Sequence, residues 1–159
     1  MSAPYTNLRG KAEDVFFNYF QSTEGFSIPV YRAAEVVAKN TEITIPCVSV
    51  ICTGTSSAMP EVDARAAVQN RLCSVQIIVI SDTAQTYDGF TVRDYHDMLT
   101  GQVMDMLYDS TLVEKLNLTG AGIGIGIVQV DTPEQSFNVR GNNYETTLTL
   151  TVNAYPKIN

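Results

Sequence analysis

Apolar residues along this chain keep two rhythms, one of helices and one of strands. Between Arg9 and Gln21, Val15, Phe16, Tyr19 and Phe20 recur at i, i+1, i+4 and i+5, which predicts a short helix with one aromatic stripe. Glu13 and Asp14 fall near its start, where the helix dipole favours acids. The stripe reads as core or as the cover of a sheet; an intersubunit role for some of its aromatics is the other reading. Gly25 ends the unit. Phe26 to Val37 reads as extended, with Pro29 at an edge or a strand start. A helix from Tyr31 to Lys39 competes, because Ala33, Ala34, Glu35, Val36, Val37, Ala38 and Lys39 form helix readily.

Ile43 to Thr53 predicts a strand through Ile43, Ile45, Val48, Val50 and Cys52. Thr53 to Asn70 reads as a connection, turn-like at Thr53-Gly54-Thr55-Ser56-Ser57, with a helical turn around Ala64 to Val68. Connections this long are usually functional or disordered. Arg71 to Ser81 is the strongest strand signal. Val75, Ile77 and Val79 fill one face and Leu72, Ile78 and Ile80 the other, which predicts a central position. Thr91 to Asp109 is the strongest helix signal, with Val92, Tyr95, Leu99, Val103, Met106 and Leu107 spaced by threes and fours. Leu112 to Leu118 extends it after a break at Asp109-Ser110. A glycine-rich strand then runs from Gly120 to Asp131, followed by a turn at Thr132-Pro133-Glu134-Gln135. Phe137 to Arg140 is short and extended, and Gly141-Asn142-Asn143 signals another turn. Tyr144 to Tyr155 alternates Tyr144, Thr146, Leu148, Leu150, Val152 and Ala154 against Glu145, Thr147, Thr149, Thr151, Asn153 and Tyr155, the pattern of a half-buried strand.

The order is helix, strands, helix, strands, without the repeated βαβ rhythm of a parallel sheet. It predicts an α+β fold: a mostly antiparallel sheet with an N-terminal helix and one long helix packed on one face. No repeat, low-complexity tract or linker divides residues 1–159, so one domain is expected.

Composition narrows the function. Charged residues make up 17% of the chain, below the roughly 25% of an ordinary domain. Such a surface suits a subunit that buries area in an assembly. Ten Lys and Arg stand against 17 Asp and Glu, a net charge of −7, and no basic run occurs. A nucleic-acid binder needs cations to displace counterions from phosphate, so neither free DNA nor an anionic membrane is an expected partner. No apolar stretch reaches the roughly 20 residues of a membrane span. Met1-Ser2-Ala3-Pro4 opens no signal-peptide pattern. Cys47, Cys52 and Cys73 read as reduced, buried thiols of a cytoplasmic fold. Cys47 and Cys52 are five apart on a predicted strand and so face opposite ways, which disfavours a shared metal.

The segment Gly120-Ala121-Gly122-Ile123-Gly124-Ile125-Gly126-Ile127 invites a nucleotide reading. The dinucleotide fingerprint needs its glycines between a strand and a helix, and here strict alternation leads into strand. Ile123, Ile125 and Ile127 fall on one face and Gly122, Gly124 and Gly126 on the other. The bare face admits close approach by a helix or a neighbouring subunit. His96, the only histidine, lies on the long helix near Asp94 and Asp97. It lacks the local signature of a nucleophile and its partners, and reads as a helix-surface or capping residue. No zinc spacing or calcium loop is present. Catalysis, cofactors and metals are not expected.

Three segments carry a resemblance. They are the N-terminal helix with Val15, Phe16 and Phe20; the strand Asn70 to Val79 with the helix Thr91 to Asp109 after it; and the closing run Arg140 to Val152. In this pattern the chain resembles the tail-terminator, or tail-completion, proteins of long-tailed bacteriophages, and more loosely the small neck proteins of the head–tail junction. The resemblance implies a virion protein, made in the host cytoplasm, that forms a homohexameric ring on the head-proximal end of the tail tube. It would stop tube growth and offer the head a docking surface. Its partners would be copies of itself, the tail-tube protein and the head–tail connector or neck protein, with DNA passing through the lumen unread. A head-to-tail ring closes when its rotation closes. The sheet edge and the loop Thr53 to Asn70 are the expected contact regions. Met59, Glu61, Asp63 and Arg65 in that loop, with Arg71 and Arg140 as ion-pair partners, are the candidate interface residues. A tail-tube or other neck subunit is the nearest alternative. A small cytoplasmic enzyme or ligand-binding domain, with a pocket between helices and sheet, is the more distant one.

Overall fold

The computed structural model describes residues 8–32, 43–57, 71–82, 92–118, 123–131, 133–138 and 143–156. In chain order the elements are α1 (Leu8–Ser22), β1 (Val30–Arg32), β2 (Cys47–Ser57), β3 (Arg71–Asp82), α2 (Val92–Leu107), α3 (Leu112–Asn117), β4 (Ile123–Val130), β5 (Glu134–Asn138) and β6 (Asn143–Pro156). The fold is α+β. One sheet runs β1-β2-β3-β6-β4, with β5 also on β6. Among the described residues only β1 and β2 pair in parallel, and every other pairing is antiparallel.

β4 and β5 act as one broken strand. β4 lies against Leu150–Pro156 of β6 and β5 against Asn143–Thr147, so together they cover the far edge of the 14-residue β6. The register slips between Ile127 and Gln129, where an extra residue bulges out. This explains one departure from the sequence pattern. Glu134 and Gln135 read as turn but are strand, because β6 offers them Thr147 and Thr146 as partners.

The same override acts at Thr53 to Ser57, which read as turn and instead continues β2 to its end. Arg71 to Ser74 of β3 supplies the ladder, and a register shift between Cys52 and Gly54 absorbs one residue. Hydroxyl-bearing residues pair well once a neighbouring strand is in place. At the other end, β2 begins later than Ile43. Pro46 has no N–H to give a ladder, and Ile43 is exposed. Of the ambiguous run after Phe26, Val30–Arg32 is strand, so the competing helix from Tyr31 to Lys39 does not hold at Tyr31 and Arg32, and its remainder, 33–39, lies outside the described residues.

The core is the sheet face beneath the helices. From α1 come Val15, Phe16, Tyr19 and Phe20; from α2 Leu99, Val103 and Leu107; from α3 Leu112 and Leu116. They meet Val48, Val50, Val75, Ile77, Val79, Leu148, Leu150 and Val152. Each fully buried side chain of this size contributes about 1.5–3 kcal/mol of transfer free energy. Strand alternation sends Ser49, Ile51, Ser74, Gln76, Ile78, Thr147, Thr149 and Thr151 to the second face, against which no described helix packs. Cys47 falls on that second face and Cys52 on the core face, the split that their spacing predicts, and both are buried.

Gly124 shows what the alternating glycines accommodate within the chain. A Cβ at Gly124 would collide with the ring of Tyr155, its register partner on β6. The close approach is made by an aromatic side chain of the next strand, which takes up the space that the missing side chain leaves.

Candidate functional site

The helices are tied to the sheet by side chains that bond backbone groups at its edges. On α1, Glu13 is 1% exposed despite its charge. Its Oε1 accepts from Arg32 Nε at 2.9 Å, and its Oε2 accepts from the backbone N–H of Cys52 at 2.9 Å. Arg9, one turn earlier, lies 3.5 Å from the same carboxylate and donates to the Cys52 carbonyl at 3.0 Å. Arg32 also pairs with Asp14 at 2.6 Å. A buried carboxylate is tolerable only with partners of this kind. The expectation that Glu13 serves the helix dipole is corrected: no acid lies in the first turn, and Glu13 instead turns into the sheet.

At the opposite edge α3 does the same to β4. Asn117 accepts the Ile125 N–H at 2.9 Å and donates to the Ile125 carbonyl at 3.4 Å. α3 is held at its start by Asp109, which accepts from the Thr111 N–H and hydroxyl at 2.8 Å each and pairs with Lys115 at 2.5 Å. Those bonds hold the Asp109 carboxyl well below the usual carboxylate range.

The most enclosed polar cluster sits between α2, β3 and β6. His96 is 0% exposed. Its Nδ1 is 2.7 Å from Ser81 Oγ and its Nε2 is 2.7 Å from Thr146 Oγ1. The Tyr144 ring lies beside it with centroids 5.7 Å apart. Burial pushes the His96 imidazole down from its ordinary value, against a smaller upward pull from Asp97. The reading of His96 as a helix-surface residue is therefore overturned. The signal was in the sequence: His96 stands at i with Leu99, Val103 and Leu107 at i+3, i+7 and i+11, on the buried stripe. Ser81 and Thr146 follow from strand alternation with the core, but that they meet His96 depends on how α2 crosses the sheet. Chemically, the trio is a bridge of hydrogen bonds. Ser81 is fully enclosed, and a threonine hydroxyl on Nε2 carries no charge to balance an imidazolium, as a carboxylate would.

Two further features lie elsewhere in the fold. An open cavity of about 850 Å³ lies between the C-terminal end of α1 and α3, bordered by Tyr19, Ser22, Glu24, Lys115 and the exposed Leu118. It is not the space between helices and sheet, which core side chains fill. The Tyr19 hydroxyl donates to the Met106 carbonyl at 2.9 Å, and burial raises its pKa. Cys52 and Cys73 lie diagonally across β2 and β3 on the core side, where a thiol–thiol hydrogen bond and burial push the Cys73 thiol far up. Among the described residues no three His, Cys, Asp or Glu side chains gather to hold a metal. No described helix is long and apolar enough to cross a membrane.

Of the candidate interface residues, Met59, Glu61, Asp63, Arg65 and Arg140 lie outside the described residues. Arg71 opens β3, its backbone paired with Ser57 on one side and Ala154 on the other. The sequence matches no protein-family model, and no curated protein is significantly similar to it.

Proposed function

We propose that this chain is a structural subunit of a long-tailed phage, closing into a ring at the head-proximal end of the tail tube, where it ends tube growth and receives the head. The reading rests on the resemblance carried by the N-terminal helix, the Asn70–Val79 strand with its following helix, and the closing strand. The observation that supports it most is the second face of the sheet. Its central stretch, Ile51, Ser74, Gln76, Ile78, Thr147, Thr149 and Thr151, holds no charge on a chain of net charge −7. Acidic copies repel one another, and an uncharged face is where they can meet at least cost. The candidate contacts Met59, Glu61, Asp63, Arg65, Arg71 and Arg140 belong to this proposal, as do the tube and neck proteins as partners.

The experiment is native mass by light scattering over a concentration series, alone and with assembled tail tubes. A ring of about six subunits, in solution or only on tubes, is the expected result. A monomer at every concentration that ignores tubes overturns the reading and directs attention to the cavity beside Tyr19.

A further inference from the structure

Where α2 crosses the sheet, the apolar seam of Leu99, Val103 and Leu107 gives way toward its N-terminal end to the polar cluster of His96, Ser81 and Thr146. All three are enclosed, at 0%, 0% and 3% exposure. The imidazole spans two strands, with β3 on Nδ1 and β6 on Nε2, each at 2.7 Å. A neutral imidazole donates from one nitrogen and accepts at the other, and a hydroxyl can do either. The neutral trio is therefore satisfied: one hydroxyl accepts from the ring and the other donates to it. A second proton makes both nitrogens donors. The hydroxyl that was donating must turn its hydrogen away inside a closed site, and a full charge is left in a dry seam.

We propose that His96 is an acid-sensitive lock in this fold: neutral, it pins α2 to β3 and β6, and on taking a second proton it releases the N-terminal half of α2 from the sheet. The charged groups around it do not cancel this effect. On α2 itself Asp97 draws a proton toward the ring but is exposed, and Arg93 and Asp94 are exposed in the first turn. On β3 the neighbouring Asp82, and on β6 Glu145, alternate to the opposite face of the sheet. Tyr144 lays its ring beside the imidazole, with centroids 5.7 Å apart. Burial outweighs Asp97, so the native ring takes its proton at lower pH than the unfolded chain does. The docked state then loses stability as pH falls below the unfolded value of about 6.5.

The chain has one histidine, so its ring resonance is unambiguous in NMR. That titration is run with amide hydrogen exchange, corrected for intrinsic rates, from about pH 7.5 to about 5.5, above most carboxylate titration. The native ring is expected to titrate below about 6.5. Opening at the His96 and Leu99 amides should rise by up to about tenfold per pH unit below that value, with a smaller change at Val15 and Phe16 of α1. His96→Gln should flatten the α2 profile. If that variant does not fold, Thr146→Val keeps the imidazole and removes one hydroxyl; it should raise α2 opening at neutral pH while leaving the acid step in place. A ring that titrates at or above 6.5, or α2 opening that is flat with pH or identical to that of α1, overturns the proposal.

Discussion

The carboxylate of Glu13 accepts the backbone N–H of Cys52 at 2.9 Å, doing for the edge of β2 what another strand would do. Among the described residues β1 pairs with β2 from Val48 to Val50, and the Val48 N–H goes to the Pro29 carbonyl at 2.9 Å. Two residues further, the edge-facing N–H and C=O of Cys52 pass to Glu13 and Arg9. Unpaired strand edges invite pairing with other chains, and here a helix covers one.

Replacing Glu13 by Ala removes that acceptor and takes one carboxylate from Arg32, which keeps its pairing with Asp14. The freed Cys52 N–H is buried, so the expected loss is about 1–3 kcal/mol. Arg9 and Arg32 keep part of their surface in water and can solvate their own charge, which holds the loss below that of a fully buried pair. Denaturant unfolding measures it. Arg9→Ala should cost less than Glu13→Ala, and a Glu13→Ala midpoint equal to wild type would show that the carboxylate contributes nothing.

Asn117 grips the other edge. Replacing it by Ala frees both edge-facing backbone groups of Ile125, at an expected cost of about 1–2 kcal/mol. A second consequence follows from the edge: the variant should self-associate more than wild type at equal concentration, which sedimentation velocity can follow. Asn117→Asp separates the roles, because a carboxylate still accepts the Ile125 N–H but cannot donate to the carbonyl.

Burial, with a smaller contribution from Glu145, pushes the Cys47 thiol up from 9.0 to about 11. The folded chain therefore holds this proton more tightly than the unfolded one. Its contribution is complete below about pH 9 and is lost as pH rises through about 11, by roughly 2–3 kcal/mol. Unfolding midpoints between those limits should fall in wild type and fall less in Cys47→Ala. At pH 8 the buried Cys47 is held as the thiol, so native protein should resist iodoacetamide at a site that reacts readily in denaturant.

Much of the fold was legible because burial writes a period into the chain. α1 lies within a residue of its expected bounds, and the alternation from Thr146 to Ala154 marks the buried face of β6 residue by residue. Local propensity misled where a long-range partner decided the outcome. Thr53–Ser57 and Glu134–Gln135 carry turn composition and become strand because β3 and β6 stand beside them. His96 was misplaced for a different reason: its chemistry suggested the surface, while its spacing from Leu99, Val103 and Leu107 already put it inside.

By itself the sequence determined the classes of element, their order, the faces they bury and the acidity of the whole, since these depend on residue type and spacing alone. Tertiary structure decided which strands pair, that β4 and β5 share one partner, and that Glu13, Asn117 and His96 each reach across to another element. Those contacts join residues 39, 8 and 50 positions apart for the pairs Glu13–Cys52, Asn117–Ile125 and His96–Thr146. A hydrogen bond is set by direction and a few tenths of an ångström, and no periodicity along a chain specifies that. Packing the apolar faces brings the partners within reach, and only then does each polar group find the one neighbour that lets it be buried.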